Sequence, residues 1–204
     1  MLHHKNAFFH IAIAGFMGAG KSTVAQIVSQ KTGMKIIDAD AEAKLLMQEN
    51  TAIRSRLAHT FGAAVVQNGV VDFKELGKCA FNSVKTIEQL NTIVHGHLIN
   101  RLEHLLTKAD KPRILDAALL PLWHIESWFS ACIWVDATEE IRRNRVAQRT
   151  GLPMDIIEQR MAIQHTLLKQ PASGLWRVLT NNTTPKELSA KTENVLINIT
   201  KEQA

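Results

Sequence analysis

The sequence predicts an α/β fold in which helices cover both faces of a five-stranded parallel sheet. Three observations lead to this class. Five short apolar runs alternate with segments of helical periodicity, which is typical of parallel sheets. Polar residues follow several of these runs, as expected where ligands bind beyond the carboxyl ends of parallel strands. The length of 204 residues allows one substantial core with an inserted lobe, but no second large domain.

The first apolar run, from Phe8 to Ala14, predicts a buried strand that leads directly into the sequence GFMGAGKST. Its glycines, lysine and serine have the spacing of a phosphate-binding loop, GxxxxGK[ST]. Glycines let successive N–H groups turn toward phosphate oxygens, Lys21 reaches the β- and γ-phosphates, and Ser22 can ligate Mg²⁺. The sequence therefore predicts binding of a nucleoside triphosphate. The predicted nucleotide-binding residues are Gly15, Gly18, Ala19, Gly20, Lys21, Ser22 and Thr23.

The second run, from Met34 to Ile37, predicts a short buried strand that ends at two carboxylates, Asp38 and Asp40. Residues two apart in an extended segment point to the same side. We predict that Asp40 accepts the proton of an attacking hydroxyl, or aligns that hydroxyl, and that Asp38 holds a Mg²⁺-bound water. The alternative is that either carboxylate only caps the helix that follows, since Asp is common at that position.

The segment 41–111 is too long for a simple crossover between parallel strands and predicts an inserted helical lobe. Helical periodicity covers 41–59 and is broken near Asn50, so we expect two helices there. The stretch 61–71 contains two glycines and predicts an irregular segment or a short hairpin, and Asp72 is placed to cap the next helix. A lobe beside the phosphate-binding loop is where a second substrate would bind.

A long helix completes this lobe and is predicted to be interrupted, or to restart, near His95 and Gly96. One apolar stripe runs along it, formed by Leu90, Val94, Leu98, Leu102 and Leu105. A lone histidine in such a helix is more often structural than catalytic.

Two further strands are predicted at Arg113–Asp116 and Ala131–Asp136, and each ends in a carboxylate. Phosphate-loop proteins commonly hold Mg²⁺ with an aspartate that follows a strand, so Asp116 is an alternative Mg²⁺ ligand. The next residue is Ala117, whereas ATPases commonly have a glutamate there to activate water. Phosphoryl transfer to a bound acceptor is therefore favoured over hydrolysis.

An arginine-rich helix is predicted over 138–149, ended by the breaker Gly151-Leu152-Pro153. Four arginines mark this region: Arg142, Arg145 and Arg149 on one face of the helix, and Arg160 on the next helix. This pattern predicts a lid that closes over a triphosphate, with Arg149 stabilising the transferring phosphoryl group. For Arg142 and Arg143 we predict a solvated basic face.

The chain continues into a fifth strand and a last helix. Leu175–Leu179 has the apolar character of a strand. The helix start is well marked, because Thr184 can cap it, Pro185 suits its first position and Glu187 its third. The five strands and their helices therefore predict a three-layer sandwich.

Composition and charge limit the kinds of partner. The net charge of +5 suits polyanionic small molecules, whereas no arginine-rich block or basic–aromatic pattern predicts nucleic-acid binding. No apolar run approaches the length of a membrane span, and a cleaved targeting segment is rejected because cleavage would destroy the loop. Two cysteines predict a reducing, cytoplasmic environment. We expect a monomer or a weak homo-oligomer.

These residues resemble the dephospho-coenzyme A kinase family of P-loop kinases over most of the chain. The matching segments are Ile37–Asp40, Phe61-Gly62, Asn68–Asp72, Leu76-Gly77 with Phe81, Leu90-Asn91 before His95, Asp116–Leu120, Arg145 and Arg149 with Gln164, and Asn181-Asn182. The resemblance implies one P-loop kinase domain, with a core over 1–40 and 112–204. The inserted acceptor lobe would span about 41–111, and the lid about 145–170.

The resemblance also implies the reaction. It is ATP-dependent phosphorylation of the ribose 3′-hydroxyl of dephospho-coenzyme A, the last step of coenzyme A synthesis, with Mg²⁺ as the metal. Asp40 would be the base, Arg145 and Asn181 would lie at the nucleotide, and His95 would lie at the acceptor.

The chain departs from the family pattern mostly on the acceptor side. Phe73 stands in place of an arginine, Gly96 and Ala118 in place of prolines, and Leu122 in place of a glutamate. Lys74 is predicted to substitute for the missing arginine. Acceptor recognition is therefore the part of the function that the resemblance supports least.

Three alternatives remain open. The loop GFMGAGKST is closer to that of shikimate kinases, which need a Gly-Gly-Gly turn where this chain has Asp116-Ala117-Ala118. A nucleoside monophosphate kinase is a looser option. A nucleotide-binding module without catalysis is the alternative from a different class, and the intact Lys21, Asp40 and Arg149 disfavour it.

Overall fold

The computed structural model describes residues 9–172 and 174–202. In chain order its strands are β1 (Ile11–Gly15), β2 (Lys35–Asp38), β3 (Val66–Gln67), β4 (Val70–Val71), β5 (Arg113–Asp116), β6 (Ala131–Asp136) and β7 (Trp176–Thr180). Five of them form one parallel sheet in the order β2-β5-β1-β6-β7, and β3 and β4 form a separate antiparallel hairpin. The predicted fold class is therefore confirmed.

Helices separate the strands of the sheet. They are α1 (Lys21–Thr32), α2 (Ala39–Glu49), α3 (Thr51–Phe61), α4 (Phe73–Ala80), α5 (Val84–Thr107), α6 (Leu120–Trp123), α7 (Glu139–Thr150), α8 (Met154–Leu167) and α9 (Pro185–Glu202). Short 3₁₀ turns lie at Ala63–Val65 and Glu126–Trp128. Among the described residues no helix is long and apolar enough to cross a membrane.

The sheet is covered on both faces, because alternate residues of β1 point to opposite sides. Ile11 and Ile13 join a core cluster with residues of α1 and α9. Ala12 and Ala14 join a larger cluster with residues of α2, α3, α4 and α5. The central strand is fully buried as a result, which fixes the direction of the chain where it leaves β1 at the phosphate-binding loop.

Strand β2 departs from its prediction as a buried strand. It lies at the edge of the sheet, paired only with β5, and Lys35, Ile36 and Asp38 are exposed. The apolar pair Ile36-Ile37 suggested burial, but strand order decides which strands have two neighbours. The carboxyl end of β2 therefore opens to solvent beside the phosphate-binding loop.

The helices between β2 and β5 follow the sequence pattern closely, except within α5. Asn50 separates α2 from α3 and caps α3, and Asp72 caps α4 with hydrogen bonds to the N–H groups of Lys74 and Glu75. The predicted interruption near Gly96 is absent, since α5 runs unbroken from Val84 to Thr107. At its end Leu106 is buried instead of the predicted Leu105. One glycine costs a helix only about 1 kcal/mol, which packing of the stripe offsets.

Gly15 ends β1 where the backbone of β6 approaches most closely. A Cβ atom there would lie 2.1 Å from the carbonyl oxygen of Val135, and the backbone has φ = +145°. Replacing Gly15 with alanine should destabilise the fold by about 3 kcal/mol or more, because neither backbone can move aside without breaking sheet hydrogen bonds. Urea unfolding measures this free energy.

Gly33→Ala is the matched control for that substitution. Gly33 also has a positive φ, +74°, but within the described part of the chain no atom beyond its own chain neighbours lies within 4 Å of the position of its Cβ. Only the backbone strain is therefore added, about 1–2 kcal/mol. Equal destabilisation by the two substitutions would contradict the close approach at Gly15.

Candidate active site

A cavity of about 750 Å³ opens at the carboxyl ends of the sheet strands. Its walls come from the phosphate-binding loop (residues 15–23), from α2, α4 and α5, and from α7 and α8. The predicted site residues that line it are Gly18, Gly20, Lys21, Ser22, Thr23, Asp38, Asp40, His95, Asp116, Arg145 and Arg149. Four predicted site residues are not part of its lining: Gly15, Ala19, Lys74 and Asn181.

The phosphate-binding loop is held from behind by close backbone packing. A Cβ on Gly18 would lie 2.4 Å from the carbonyl oxygen of Arg142, and one on Gly20 would lie 2.3 Å from Nδ2 of Asn181. Nδ2 of Asn181 also donates to the carbonyl oxygen of the buried Ala19, at 2.8 Å. Asn181 therefore supports the loop instead of lining the cavity.

Lys21, Ser22 and Asp116 form the polar floor of the cavity. The Ser22 hydroxyl donates to Oδ2 of Asp116 at 2.6 Å. Burial lowers the pKa of Lys21, the Asp116 and Asp40 carboxylates oppose that shift, and the charge of Arg149 adds to it. Burial raises the pKa of Asp116, against the Ser22 hydrogen bond and the charge of Lys21. A desolvated cation and carboxylate thus lie next to one serine hydroxyl.

The two carboxylates after β2 have different surroundings. Oδ1 of Asp38 accepts hydrogen bonds from the N–H groups of Asp40 and Ala41, at 2.9 and 3.1 Å, so Asp38 caps α2. The helix therefore begins at Ala39, two residues earlier than predicted, and Asp40 lies in its first turn instead of in an extended segment. Asp40 is exposed and faces the cavity. Only Asp38 performs the capping role that was the alternative for both.

Arg142 corrects the prediction of a solvated face. The residue is 2% exposed, its Nε donates to the carbonyl oxygen of Ala137, and its Nη2 lies 2.7 Å from Nε2 of His165. Its guanidinium lies 4.7 Å from the ring centroid of Phe16. Burial lowers the pKa of Arg142. The sequence could not predict this burial, because the contacts join residues of separate elements. The neighbouring Arg143 does lie at the surface, paired with Glu158.

Arg145 and Arg149 extend from α7 toward the phosphate-binding loop and the cavity. The Nη atoms of Arg145 lie 3.5 Å from the carbonyl oxygen of Gly18 and 3.4 Å from Oδ1 of Asn181. Arg149 is exposed in the last turn of α7 and lines the cavity. From α8, Oε1 of Gln164 accepts the N–H of Met17 at 2.7 Å. Both arginine-bearing helices therefore contact the same loop.

The structure does not bring Lys74 to the cavity. Lys74 is exposed in the first turn of α4, while the ring of Phe73, one residue earlier, lines the cavity. Consecutive helical residues point about 100° apart, so both cannot face the same space. The cation near Phe73 comes from α2, since Nζ of Lys44 lies 6.0 Å from the centroid of its ring. Sequence reasoning missed Lys44 because only tertiary packing joins α2 to α4.

His95 lines the cavity from α5 and packs edge-on against Trp123, with ring centroids 5.5 Å apart. Burial lowers the pKa of His95 to about 4. The folded protein therefore holds this imidazole neutral in a range where an unfolded chain protonates it.

Acidification should consequently destabilise the protein through His95. The unfolded chain takes up the proton near pH 6.5 and the folded protein only near pH 4, so stability is lost as the pH falls through that window. At pH 5 the loss should be about 2 kcal/mol. His95→Gln should remove this part of the pH dependence of urea unfolding. His97→Gln, at an exposed position of the same helix, should leave it in place, and equal profiles for the two variants would contradict the assignment.

The residues of the floor suit a magnesium ion. Mg²⁺ is usually bound by one or two carboxylates together with water and substrate phosphates, so a dense cage of protein ligands is not required. No group of three or more His, Cys, Asp or Glu side chains with metal-ligand spacing occurs within 9–172 and 174–202. The Ser22 hydroxyl and the Asp116 carboxylate, 2.6 Å apart, supply the hard oxygen donors that the ion prefers.

A parallel sheet, a glycine-rich loop followed by Lys21 and Ser22, and a facing carboxylate define this protein as a P-loop kinase in class. The sequence profile described as dephospho-CoA kinase matches residues 9–187. This chain belongs to the dephospho-CoA kinase family.

Individual relatives agree with the profile. A dephospho-CoA kinase of Geobacillus kaustophilus is 28% identical over 182 residues, which cover 87% of this chain and 90% of that protein. One from Geobacter sulfurreducens is 28% identical over 192 residues, covering 91% and 95%. Among solved structures, TT1252 from Thermus thermophilus superposes with a TM-score of 0.68 at 25% identity, covering 94% of this chain and 97% of that one.

Proposed function

We propose that this protein transfers the γ-phosphoryl group of ATP to the ribose 3′-hydroxyl of dephospho-CoA, the last step of coenzyme A synthesis. The observation that carries the proposal is the family match over 9–187, which includes every residue of the cavity lining. The geometry supports it, because the phosphate-binding loop and Asp40 line the same cavity.

In this proposal the phosphates of ATP lie on the loop amides, where Lys21, Arg145 and Arg149 neutralise their charge. Asp40 accepts the proton of the attacking hydroxyl or aligns it, and its exposed position at the cavity leaves it accessible to the acceptor. Ser22 and Asp116 would hold Mg²⁺, which when bound neutralises charge on the transferring phosphates. Asp38 fixes the first turn of α2 and thereby the position of Asp40.

Under the same proposal, separate segments of the chain bind the acceptor and the triphosphate. The acceptor is held by 41–111, with His95 in its wall, and the segment 145–170 closes over the triphosphate. Because both substrates are small anions, neither nucleic acid nor a membrane is needed as a partner. The two cysteines are free, which supports a reducing cytoplasmic location. We retain a monomer or weak homo-oligomer as the state of assembly.

A coupled assay of ADP release tests the function. Mg·ATP is supplied with dephospho-CoA, shikimate or AMP in separate reactions, and turnover is expected with dephospho-CoA. Turnover with shikimate or AMP alone would overturn the proposed acceptor. Tight ATP binding without turnover on any of the three would point instead to a nucleotide-binding module.

A further inference from the structure

The cavity contains more positive charge than the donor needs. Five cations line it: Lys21, Lys44, Arg145, Arg149 and Arg160. The proposed function uses three of them for the triphosphate, which leaves one lysine and one arginine. Neither of these two forms an ion pair with a carboxylate in the described part of the chain. Dephospho-CoA, the proposed acceptor, carries a diphosphate. The negative charge of that diphosphate also requires a cation.

Arg160 is positioned on the acceptor side of the cavity. Its guanidinium lies 4.9 Å from the ring centroid of Phe81, the residue that follows α4. Next to it on α8, Nε2 of Gln159 donates to the carbonyl oxygen of Asn82 at 2.9 Å, which fixes the helix against the α4–α5 connection. The Nε atom of Arg160 is buried and has no hydrogen-bond partner among residues 9–172 and 174–202. The Nε side of the guanidinium is thus turned into the protein, while the residue still lines the cavity.

Arg160 lies one helical turn away from a residue of α8 that contacts the phosphate-binding loop. Gln164 lies one helical turn further along α8, on the same face, and holds the N–H of Met17 in the loop. Arg160 is thus offset from that loop contact by on the order of one turn, about 5 Å. A ribose places its 5′-phosphate at a similar distance from its 3′-hydroxyl. This spacing allows an acceptor whose 3′-hydroxyl points at the transferring phosphoryl group to extend its diphosphate toward Arg160.

Lys44 is the less suitable of the two cations. It lies over Phe73 at the start of α4, whereas Arg160 lies over Phe81 at the end of that helix. Eight residues of helix separate the two rings by about 12 Å, so one diphosphate cannot contact both cations closely. Guanidinium also binds phosphate oxygens in pairs, while an ammonium acts as a point charge.

We propose that Arg160 binds the 5′-diphosphate of the acceptor and so selects a diphosphate-bearing nucleoside over one without it. The proposal rests on the proposed function, because it takes the acceptor from there. It replaces the cation that the sequence predicted at Lys74 with one from α8. The cation–π contact with the ring of Phe81 holds the guanidinium in place at the end of α4.

Steady-state kinetics of the full-length enzyme test this role. Arg160→Met should raise KM for dephospho-CoA by about 10- to 100-fold and leave KM for ATP within about threefold. Arg160→Lys keeps the charge, and should recover part of the loss. Arg143→Met is the matched control, since Arg143 pairs with Glu158 at the surface outside the cavity. Calorimetric titration with dephospho-CoA in the absence of ATP should show the same order of affinities.

The kinetic results distinguish diphosphate binding by Arg160 from the alternative roles of Arg160 and Lys44. A rise in KM for ATP instead of dephospho-CoA would place Arg160 at the donor, and a larger effect of Lys44→Met would place the diphosphate at the other end of α4. Either result would overturn the proposal, as would unchanged kinetics. If Arg160→Met does not fold, the binding loss in the folded Arg160→Lys variant decides the question. Wild-type enzyme that does not use dephospho-CoA would overturn the proposed function itself, before any variant is compared.

Discussion

Replacing Asp40 with asparagine is expected to lower kcat by about 10²- to 10⁴-fold while KM for ATP stays within about threefold. Asparagine has nearly the same size but cannot take a proton from the attacking hydroxyl. Asp40 is exposed in the first turn of α2, where a change from aspartate to asparagine disturbs no packing, so the protein should remain folded. Steady-state ADP release with saturating dephospho-CoA measures the effect.

Glu49→Gln is the control for this substitution. Glu49 lies in the last turn of the same helix, is outside the cavity lining and pairs with Arg101. The same chemical change there should leave kcat within about twofold, because a surface ion pair contributes at most about 1 kcal/mol to stability. A kcat near that of the wild type in Asp40→Asn would remove Asp40 from the role of base.

Replacing Lys21 with methionine should lower kcat/KM for ATP by about 10³-fold. Methionine keeps most of the length and apolar character of the stem but removes the charge that faces the phosphates. The floor would then hold the carboxylates of Asp116 and Asp40 without their nearest cation, and their repulsion would disfavour a triphosphate further. Initial rates over a range of ATP concentrations, together with nucleotide titration, measure the loss.

Lys31→Met controls for the loss of a lysine from the same helix. Lys31 lies in the last turn of α1 and pairs with Glu193 at the surface. We expect kcat/KM for ATP to change by less than threefold in that variant. Wild-type kinetics in Lys21→Met would contradict the placement of the triphosphate on this loop.

Local patterns account for the parts of the structure that the sequence predicted well. The strands Arg113–Asp116 and Ala131–Asp136 have the predicted limits, and the phosphate-binding loop lies between a buried strand and a helix. The helix break near Asn50 and the cap at Asp72 were also predicted, since a capping side chain acts within three residues of itself. Such features depend on residues that are neighbours along the chain.

Features that depend on packing between distant elements were not predicted. The burial of Arg142 requires contacts with Phe16 and His165, and the exposure of β2 requires the strand order. The cations over Phe73 and Phe81 reach them from α2 and α8. Hydrophobic periodicity does not predict contacts between different elements. It shows which face of a helix or strand a side chain occupies, and not which other element covers that face.

The central place of β1 in the sheet has a consequence for how the chain folds. Ile11 is paired with Ile114 on one side and Ala131 on the other, roughly a hundred residues or more further along the chain. Closing such long loops is entropically costly and slow, whereas α2 to α5 contact one another within a shorter stretch. During synthesis the helices α2 to α5 can therefore form before β1 has a strand to pair with. The loop after β1 gains its rigid support only when β5 and β6 have been made, so nucleotide binding is among the last properties that the nascent chain acquires.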